Sequence, residues 1–245
     1  MPLRSISPPR KVPHRLRFDG GAAPTDVVYS ETFTFADGTG WPAPWTPIGS
    51  VETADIQGNR ARFRPSISGY SLARLAAPFD EQDVEVELTL EFTDVASQGL
   101  GFYVRSNGGY LQQTPTHRQG YAVFVEGFRA SPGIGAWREV DGNEQEVLVH
   151  FDPALNFQNG VRYRVRFRVT QESPTDTRLR CMVWPEADAE PAGWLVDVLD
   201  DTPILQNVSG GFAVDAWSNF NSGTRGMPPA ADQYFDDVIV RRLGP

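Results

Sequence analysis

The stretch from Val161 to Val169 reads VRYRVRFRV, and the stretch from Val84 to Phe92 reads VEVELTLEF. Each alternates apolar and charged residues without a break, the first with arginines and the second mainly with glutamates. Period-two alternation is the signature of a strand with one buried face, because successive side chains leave a strand on opposite sides. Val161, Tyr163, Val165, Phe167 and Val169 must share the buried face of one strand, and Val84, Val86, Leu88, Leu90 and Phe92 that of the other. Arg162, Arg164, Arg166 and Arg168 then lie together on an outer face, as do Glu85, Glu87, Thr89 and Glu91. Left apart, each ribbon would carry unrelieved like charge. Side by side they neutralise each other, so the pattern predicts that the two strands are neighbours in one sheet.

Other runs follow the same rhythm between Gly, Pro, Asn and Asp. Strands are expected near 27–34, 59–64, 70–76, 83–92, 99–105, 119–126, 134–140, 145–149, 161–170, 178–184, 194–198, 209–217 and 234–242. Asp141-Gly142-Asn143 between two of them signals a hairpin. No amphipathic helical stretch and no fixed-period repeat is present. The pattern fits two antiparallel sheets packed face to face. Residues 1–26 differ: Pro8, Pro9 and Pro13 fix the backbone and remove donors, so an extended basic arm is expected, followed by one sandwich over 27–245.

Charge and composition exclude several function classes. The chain has 245 residues and a formal net charge of −9, which opposes nucleic acid as the partner. A single cysteine, Cys181, allows no intrachain disulfide, and its apolar setting CMVW suggests a packed thiol. His14, His117 and His150 stand in no metal-ligand spacing. The N-terminal segment has no apolar region of a secretion signal, and no run is long enough to span a bilayer.

Several segments together resemble a known family. They are ETFTFADGTGWPAPWTPIGS, NRARFRP, YSLARLAAPFDEQDVEVELTL, GLGFYVRSNGGY, GYAVFVEG, GGFAVDAWS and QYFDDVIVRRL, in that order. The order resembles the concanavalin A-like lectin/glucanase sandwiches, which include laminin-G-like domains, and more narrowly the variant found in bacteriophage minor tail proteins. There an opening "D-x-F-x-x-A-D-G, then Trp" leads into the sandwich, and a closing "F-D-D-apolar-x-V" strand pairs with the first. Here these are Thr32 to Gly38 with Trp41 and Trp45, and Phe235 to Val240. The resemblance implies an all-β jelly-roll sandwich and a non-enzymatic virion component of the tail. Its partners would be other tail proteins or copies of itself, with host-surface glycans as a further contact. The arm, through Arg4, Arg10, Lys11, Arg15 and Arg17, would join neighbouring subunits. A bacterial carbohydrate-binding module or lectin is the alternative, with a glycan hydrolase behind it.

The family also directs attention to individual residues. Its laminarinase-like glycosidases carry Glu-x-Asp-x-Glu or Glu-x-Asp-x-x-Glu on one strand. The run Glu85-x-Glu87-x-Thr89-x-Glu91 lacks the central Asp and reads as ordinary solvated glutamates without the apolar shielding a general acid needs. Sandwiches of this class often hold a structural calcium where the first and last strands meet, which makes Asp236 and Asp237 candidate ligands. Sugar contact calls for aromatic platforms beside amides or carboxylates; Trp217, Asn219, Phe220, Asn221, Tyr110 and Trp137 are the candidates, for a glycan or a protein partner.

Overall fold

The structure, a computed structural model, describes residues 24–49, 51–65, 71–75, 80–107, 119–127, 132–141, 143–218 and 232–244. Its strands in chain order are β1 (Pro24–Glu31), β2 (Trp45–Gly49), β3 (Val51–Ile56), β4 (Ala61–Pro65), β5 (Ser71–Leu75), β6 (Val84–Phe92), β7 (Gln98–Asn107) and β8 (Gln119–Glu126). They continue as β9 (Gly133–Val140), β10 (Asn143–Phe151), β11 (Arg162–Ser173), β12 (Asp176–Pro185), β13 (Val196–Asp200), β14 (Gly211–Ser218) and β15 (Gln233–Leu243). All thirteen expected strands are present. β2 and β3 were not expected.

The strands form two antiparallel sheets. The first runs β13-β12-β11-β6-β15-β4-β3, with β1 also on β15; the second runs β10-β9-β8-β7-β14-β5-β2. β9 and β10 make the expected hairpin, with Val140 opposite Asn143 and Asp141 at φ 50°. The closing strand pairs with the first: Tyr29 faces Val240 and Glu31 faces Val238. β15 meets β4 over Gln233 to Phe235, and an irregularity after Asp236 hands its free edge to β1.

The core is built by the predicted apolar sets. Val84, Val86, Leu88, Leu90 and Phe92 pack with Tyr163, Val165, Phe167 and Val169 against Leu100, Phe102, Val104, Val123 and Val214 of the opposite sheet. Cys181 lies fully buried among them, and burial pushes its thiol well above the usual range, as expected of a packing residue. The opening and closing motifs meet here too. Phe33, Trp41, Trp45, Phe63 and Phe235 form one aromatic cluster, Trp41 standing edge-on to Phe235 with ring centroids 4.9 Å apart. Trp41 donates its indole N–H to the Asp55 carbonyl at 3.0 Å, and Trp45 donates to the Tyr29 hydroxyl at 2.7 Å. The "FTFADG…W" opening therefore closes one end of the core, tying β1 and β3 to β15.

Candidate functional site

The outer face of the first sheet carries the charge ribbons, and they are neighbours in the predicted manner. β11 pairs with β6 so that Arg162, Arg164, Arg166 and Arg168 lie opposite Glu91, Thr89, Glu87 and Glu85. Arg164 and Arg166 each reach Glu87 at 2.6 Å, Arg168 reaches Glu85 at 2.5 Å, and Arg241 of β15 approaches Glu85 at 3.4 Å. The expectation of solvated glutamates is corrected: Glu85 is 2% and Glu87 5% exposed. The guanidinium groups and the rings of Trp184 and Trp194, near Arg166 and Arg168, lie with them. Burial acts to raise the Glu87 carboxyl, but hydrogen bonds and charge from Arg166, Arg164 and Arg241 outweigh it and hold it below its ordinary value. An acid held ionised in this way has no proton to give. The arginines of the ribbon are paired with its glutamates and do not form a row of free cations.

Asp236 and Asp237 also meet an arginine. Arg162 donates to Asp236 at 3.2 Å and to Asp237 at 3.1 Å, and the Asp237 backbone N–H donates to the Asp236 carboxylate at 2.9 Å. Asp237 sits at φ 49°, in the irregular turn of β15. A guanidinium bridging both carboxylates is a poor companion for a divalent cation, so these residues do not fit the calcium site the resemblance implied. Among the described residues, no group of three His, Cys, Asp or Glu is placed to hold a metal. Burial, with the neighbouring Asp237 charge, pushes the Asp236 carboxyl up to about 6 despite Arg162.

The outer face of the second sheet has a different chemistry. Four strands present period-two sets in which small residues alternate with large aromatic or acidic ones. These are Gly99, Gly101 and Tyr103 on β7; Gly120, Ala122, Phe124 and Glu126 on β8; Gly133, Gly135, Trp137 and Glu139 on β9; and Ala213 with Asp215 on β14. The register aligns them in rows across the sheet. One row runs Asp215, Gly101, Phe124, Gly135; the next runs Ala213, Tyr103, Ala122, Trp137; Glu139 then faces Glu144 of β10. A Cβ at Gly101 would overlap the Phe124 ring, and one at Gly135 would crowd the Trp137 indole, so the glycines let these rings lie close over the backbone. Tyr103 and Phe124 stand edge-on with ring centroids 5.8 Å apart, and Phe124 and Trp137 are tilted at 5.5 Å, giving a continuous aromatic strip.

Carboxyls surround that strip. Tyr103 reaches across β8 and β9, a backbone span of roughly 14 Å, to donate its hydroxyl to Glu144 at 3.3 Å. Burial and the charges of Glu139 and Glu126 push the Glu144 carboxyl up to about 7, against the Tyr103 hydrogen bond. Asp215 is 1% exposed; burial, then the Glu144 and Glu139 charges, raise it well above the carboxylate range. The Asp215 carboxyl meets no side-chain donor among the described residues, and the Ala216 backbone N–H acts against the rise. Tyr103, Phe124 and Glu139 are also buried, whereas Trp137 and Glu144 are half-buried and meet solvent.

Of the residues singled out from sequence, Trp137 lies in this strip. Trp217 lies on β14, opposite Gly99 in the register. Tyr110, Asn219, Phe220 and Asn221 lie outside the described residues, as do Arg4, Arg10, Lys11, Arg15 and Arg17 of the arm. Sequence reasoning missed Tyr103, Phe124, Glu126, Glu139, Glu144 and Asp215. Their signal was present in the repeated small-x-small-x-aromatic spacing, as in GLGFY and GIGAW.

No protein-family model matches the chain, and no curated protein matches it. Solved structures do. The PL-14 alginate lyase of Aplysia kurodai superposes with a TM-score of 0.58 at 11% identity, covering 90% of this chain and 100% of its own. The carbohydrate binding module CBM66 of Bacillus subtilis gives 0.55 at 14% identity, covering 80% and 94%. The Ca²⁺-bound exoplasmic/lumenal domain of VIP36 gives 0.56 at 14%, covering 88% and 90%. The fold is a lectin-like jelly-roll sandwich of the concanavalin A-like class. At these identities the likeness concerns the fold alone.

Proposed function

We propose that this protein binds carbohydrate on the outer face of its second sheet, without cleaving it. The observation that carries the reading is the strip of Tyr103, Phe124 and Trp137 bordered by Glu139, Glu144 and Asp215 on that face. A sugar ring offers C–H groups to an aromatic surface and hydroxyl donors to carboxyl acceptors, and Trp137 and Glu144, the end of the strip that meets solvent, supply both. Two of the similar structures are a carbohydrate binding module and an alginate lyase, which supports a glycan as the class of ligand. Binding rather than hydrolysis is supported on the first sheet by Glu85 and Glu87 being locked in ion pairs.

Trp137→Ala tests the reading. It removes the half-buried end of the strip, and calorimetric titration with glycans chosen from an array should show affinity falling about ten-fold or more. Unchanged affinity in a folded variant, or no glycan bound by the parent, overturns the proposal. A place in a phage tail rests on the motif resemblance and on the arm over 1–26. Phe33, Trp41, Trp45 and Phe235 find their purpose in the core, so those motifs speak for the fold. Mass spectrometry of intact particles tests that finer role, and absence of the chain from them ends it.

A further inference from the structure

Solvent reaches the outer face of the second sheet beside its β10 edge. On β7, β8 and β9 the outer-face side chains Tyr103, Phe124, Glu126 and Glu139 are buried, and Trp137 is half-buried. On β10, which ends the sheet among the described residues, Glu144 and Val149 are half-buried, Glu146 is exposed and Phe151 is 43% exposed. Over these four strands the accessible surface therefore runs lengthwise beside β10 and not across the sheet.

A bulge puts those β10 side chains on one face. Before it, Glu144 lies opposite Glu139 and Glu146 opposite Trp137. The register shifts at Val147, after which Val149 lies opposite Gly135 and Phe151 opposite Gly133. Strict alternation from Glu144 and Glu146 would send Val149 and Phe151 to the core side, and the extra residue re-aims them outward. Glycines on β9 complete the arrangement. A Cβ at Gly133 would come within 2.7 Å of the Phe151 ring, and one at Gly135 within 2.6 Å of Val149 and 2.9 Å of the Trp137 indole. Phe151 and Val149 thus lie over the β9 backbone, on the side that carries Trp137. Gly133 and Trp137 are four residues apart on one strand, which places the two aromatic stations roughly 13 Å apart. Val149 fills the floor between them, and the Glu144 and Glu146 carboxyls stand at the Trp137 end.

Resting on the carbohydrate-binding reading, we infer that the ligand is an extended glycan chain bound lengthwise along β9 and β10, with one ring on Trp137 and a later one on Phe151. A single sugar ring is shorter than the separation of the stations, so only a chain fills both. At the Trp137 end the carboxyls accept hydrogen bonds from hydroxyl groups and fix a ring in place; at the Phe151 end the contact is made by ring C–H groups on the aromatic surface. The first station recognises a sugar, and the second selects for length. Because both stations engage one molecule, the second contact adds affinity without a second loss of translational freedom.

The test is calorimetric titration of the full chain with length series, from one to six residues, of unbranched oligomers of glucose, mannose, xylose, N-acetylglucosamine and galacturonate. In a series that binds, affinity should rise at least about ten-fold between the disaccharide and the hexamer. Phe151→Ala should remove that gain, lowering affinity for the hexamer about ten-fold, and leave the disaccharide unaffected, whereas Trp137→Ala should weaken both. Phe151→Tyr keeps a ring at the same place and should retain the gain. An unchanged melting temperature reports folding, and Phe151→Leu, which keeps apolar bulk over Gly133, serves as the second truncation. Affinity independent of length overturns the lengthwise chain while leaving glycan binding intact. So does a Phe151→Ala variant that keeps the gain or loses equally at both lengths. Failure of the parent to bind any of these series or any member of a broad glycan array overturns both.

Discussion

The two outer faces of the sandwich carry carboxyls at similar depth and treat them in opposite ways. On the first sheet Glu85 and Glu87, 2% and 5% exposed, each meet at least two guanidinium groups, and Glu87 is held below its ordinary pKa. On the second, Asp215 is 1% exposed with no side-chain donor among the described residues, and Glu144 has a tyrosine hydroxyl; both are raised. The difference lies in which strand each acid is opposite. β6 is flanked by arginine-bearing β11 and β15, whereas Asp215 of β14 lies opposite Gly101 and Leu72, and Glu144 of β10 lies opposite another acid, Glu139. Charges that serve the fold are paired within the chain. Asp215 and Glu144, held at depth without a guanidinium bonded to them, are pushed toward the neutral form, and perturbed acids of this kind concentrate where a ligand acts.

The comparison breaks most sharply on removal of a guanidinium. Arg168→Leu deletes both donors to one Glu85 oxygen, at 2.8 and 2.5 Å, and the contact of Arg168 with the Trp194 ring. Leaving a buried carboxylate partly unpaired costs roughly 3–5 kcal/mol, to be read from urea denaturation. Asp215→Asn, which removes charge at equal depth on the other face, should be neutral or stabilising above pH 7. A loss under about 1 kcal/mol for Arg168→Leu, within the range of exposed pairs, would show the ribbon to be solvated after all.

The pH dependence of stability separates the faces next. Glu144, Asp215 and Asp236 have folded pKa values raised above their unfolded ones. Their contribution is fully present below the unfolded pKa and is lost as pH rises through the folded value. Glu87 has the opposite sign: its contribution is present above the unfolded pKa and lost as pH falls through the folded one. Stability should therefore peak near pH 5 and decline toward pH 8. Glu144 alone, raised to about 7, accounts for up to about 3 kcal/mol of that decline. Glu144→Gln should flatten the slope between pH 5 and 8 in thermal melts; an unchanged slope contradicts the assignment.

The first face was legible in the sequence and the second was not, for a physical reason. An unbroken alternation of charge states its own burial and its partner, so VEVELTLEF and VRYRVRFRV determined a neighbour relation between distant strands. The expected span 119–126 coincides with β8, because apolar alternation bounded by turns marks a strand locally. β2 and β3 escaped notice because WTPIG contains proline and glycine and VETADI lacks alternation; their pairing with β5 and β4 comes from long-range contact. The candidate site depends on the register of five strands, which no single stretch encodes. Asp236 and Asp237 misled because sequence shows the acids and not the Arg162 that reaches them from β11.

A smaller effect tests the aromatic strip. Gly101→Ala places a methyl group inside the Phe124 ring and against the Val123 carbonyl, while a Cβ at Gly193 meets nothing within 4 Å. Overpacking should cost Gly101→Ala about 2 kcal/mol, and Gly193→Ala should stay within about 0.5 kcal/mol in the same denaturation assay. Equal costs at the two positions would mean that the ring does not lie over β7.

The finest distinction concerns one hydroxyl. Tyr103 donates to Glu144 at 3.3 Å and thereby favours its ionised form, so the bond works against the burial that raises the carboxyl. Tyr103→Phe keeps the ring, its edge-on contact with Phe124 and the buried volume, and removes only the donor. The Glu144 midpoint should then move above about 7, a shift that carbon NMR of labelled glutamate side chains can follow. Loss of stability should be about 1 kcal/mol where Glu144 is ionised and near zero at pH 5, where the protonated acid gains little from the hydroxyl. A downward shift of the midpoint would mean that Glu144 is governed by a cation, and the contrast between the two faces would fail at its central residue.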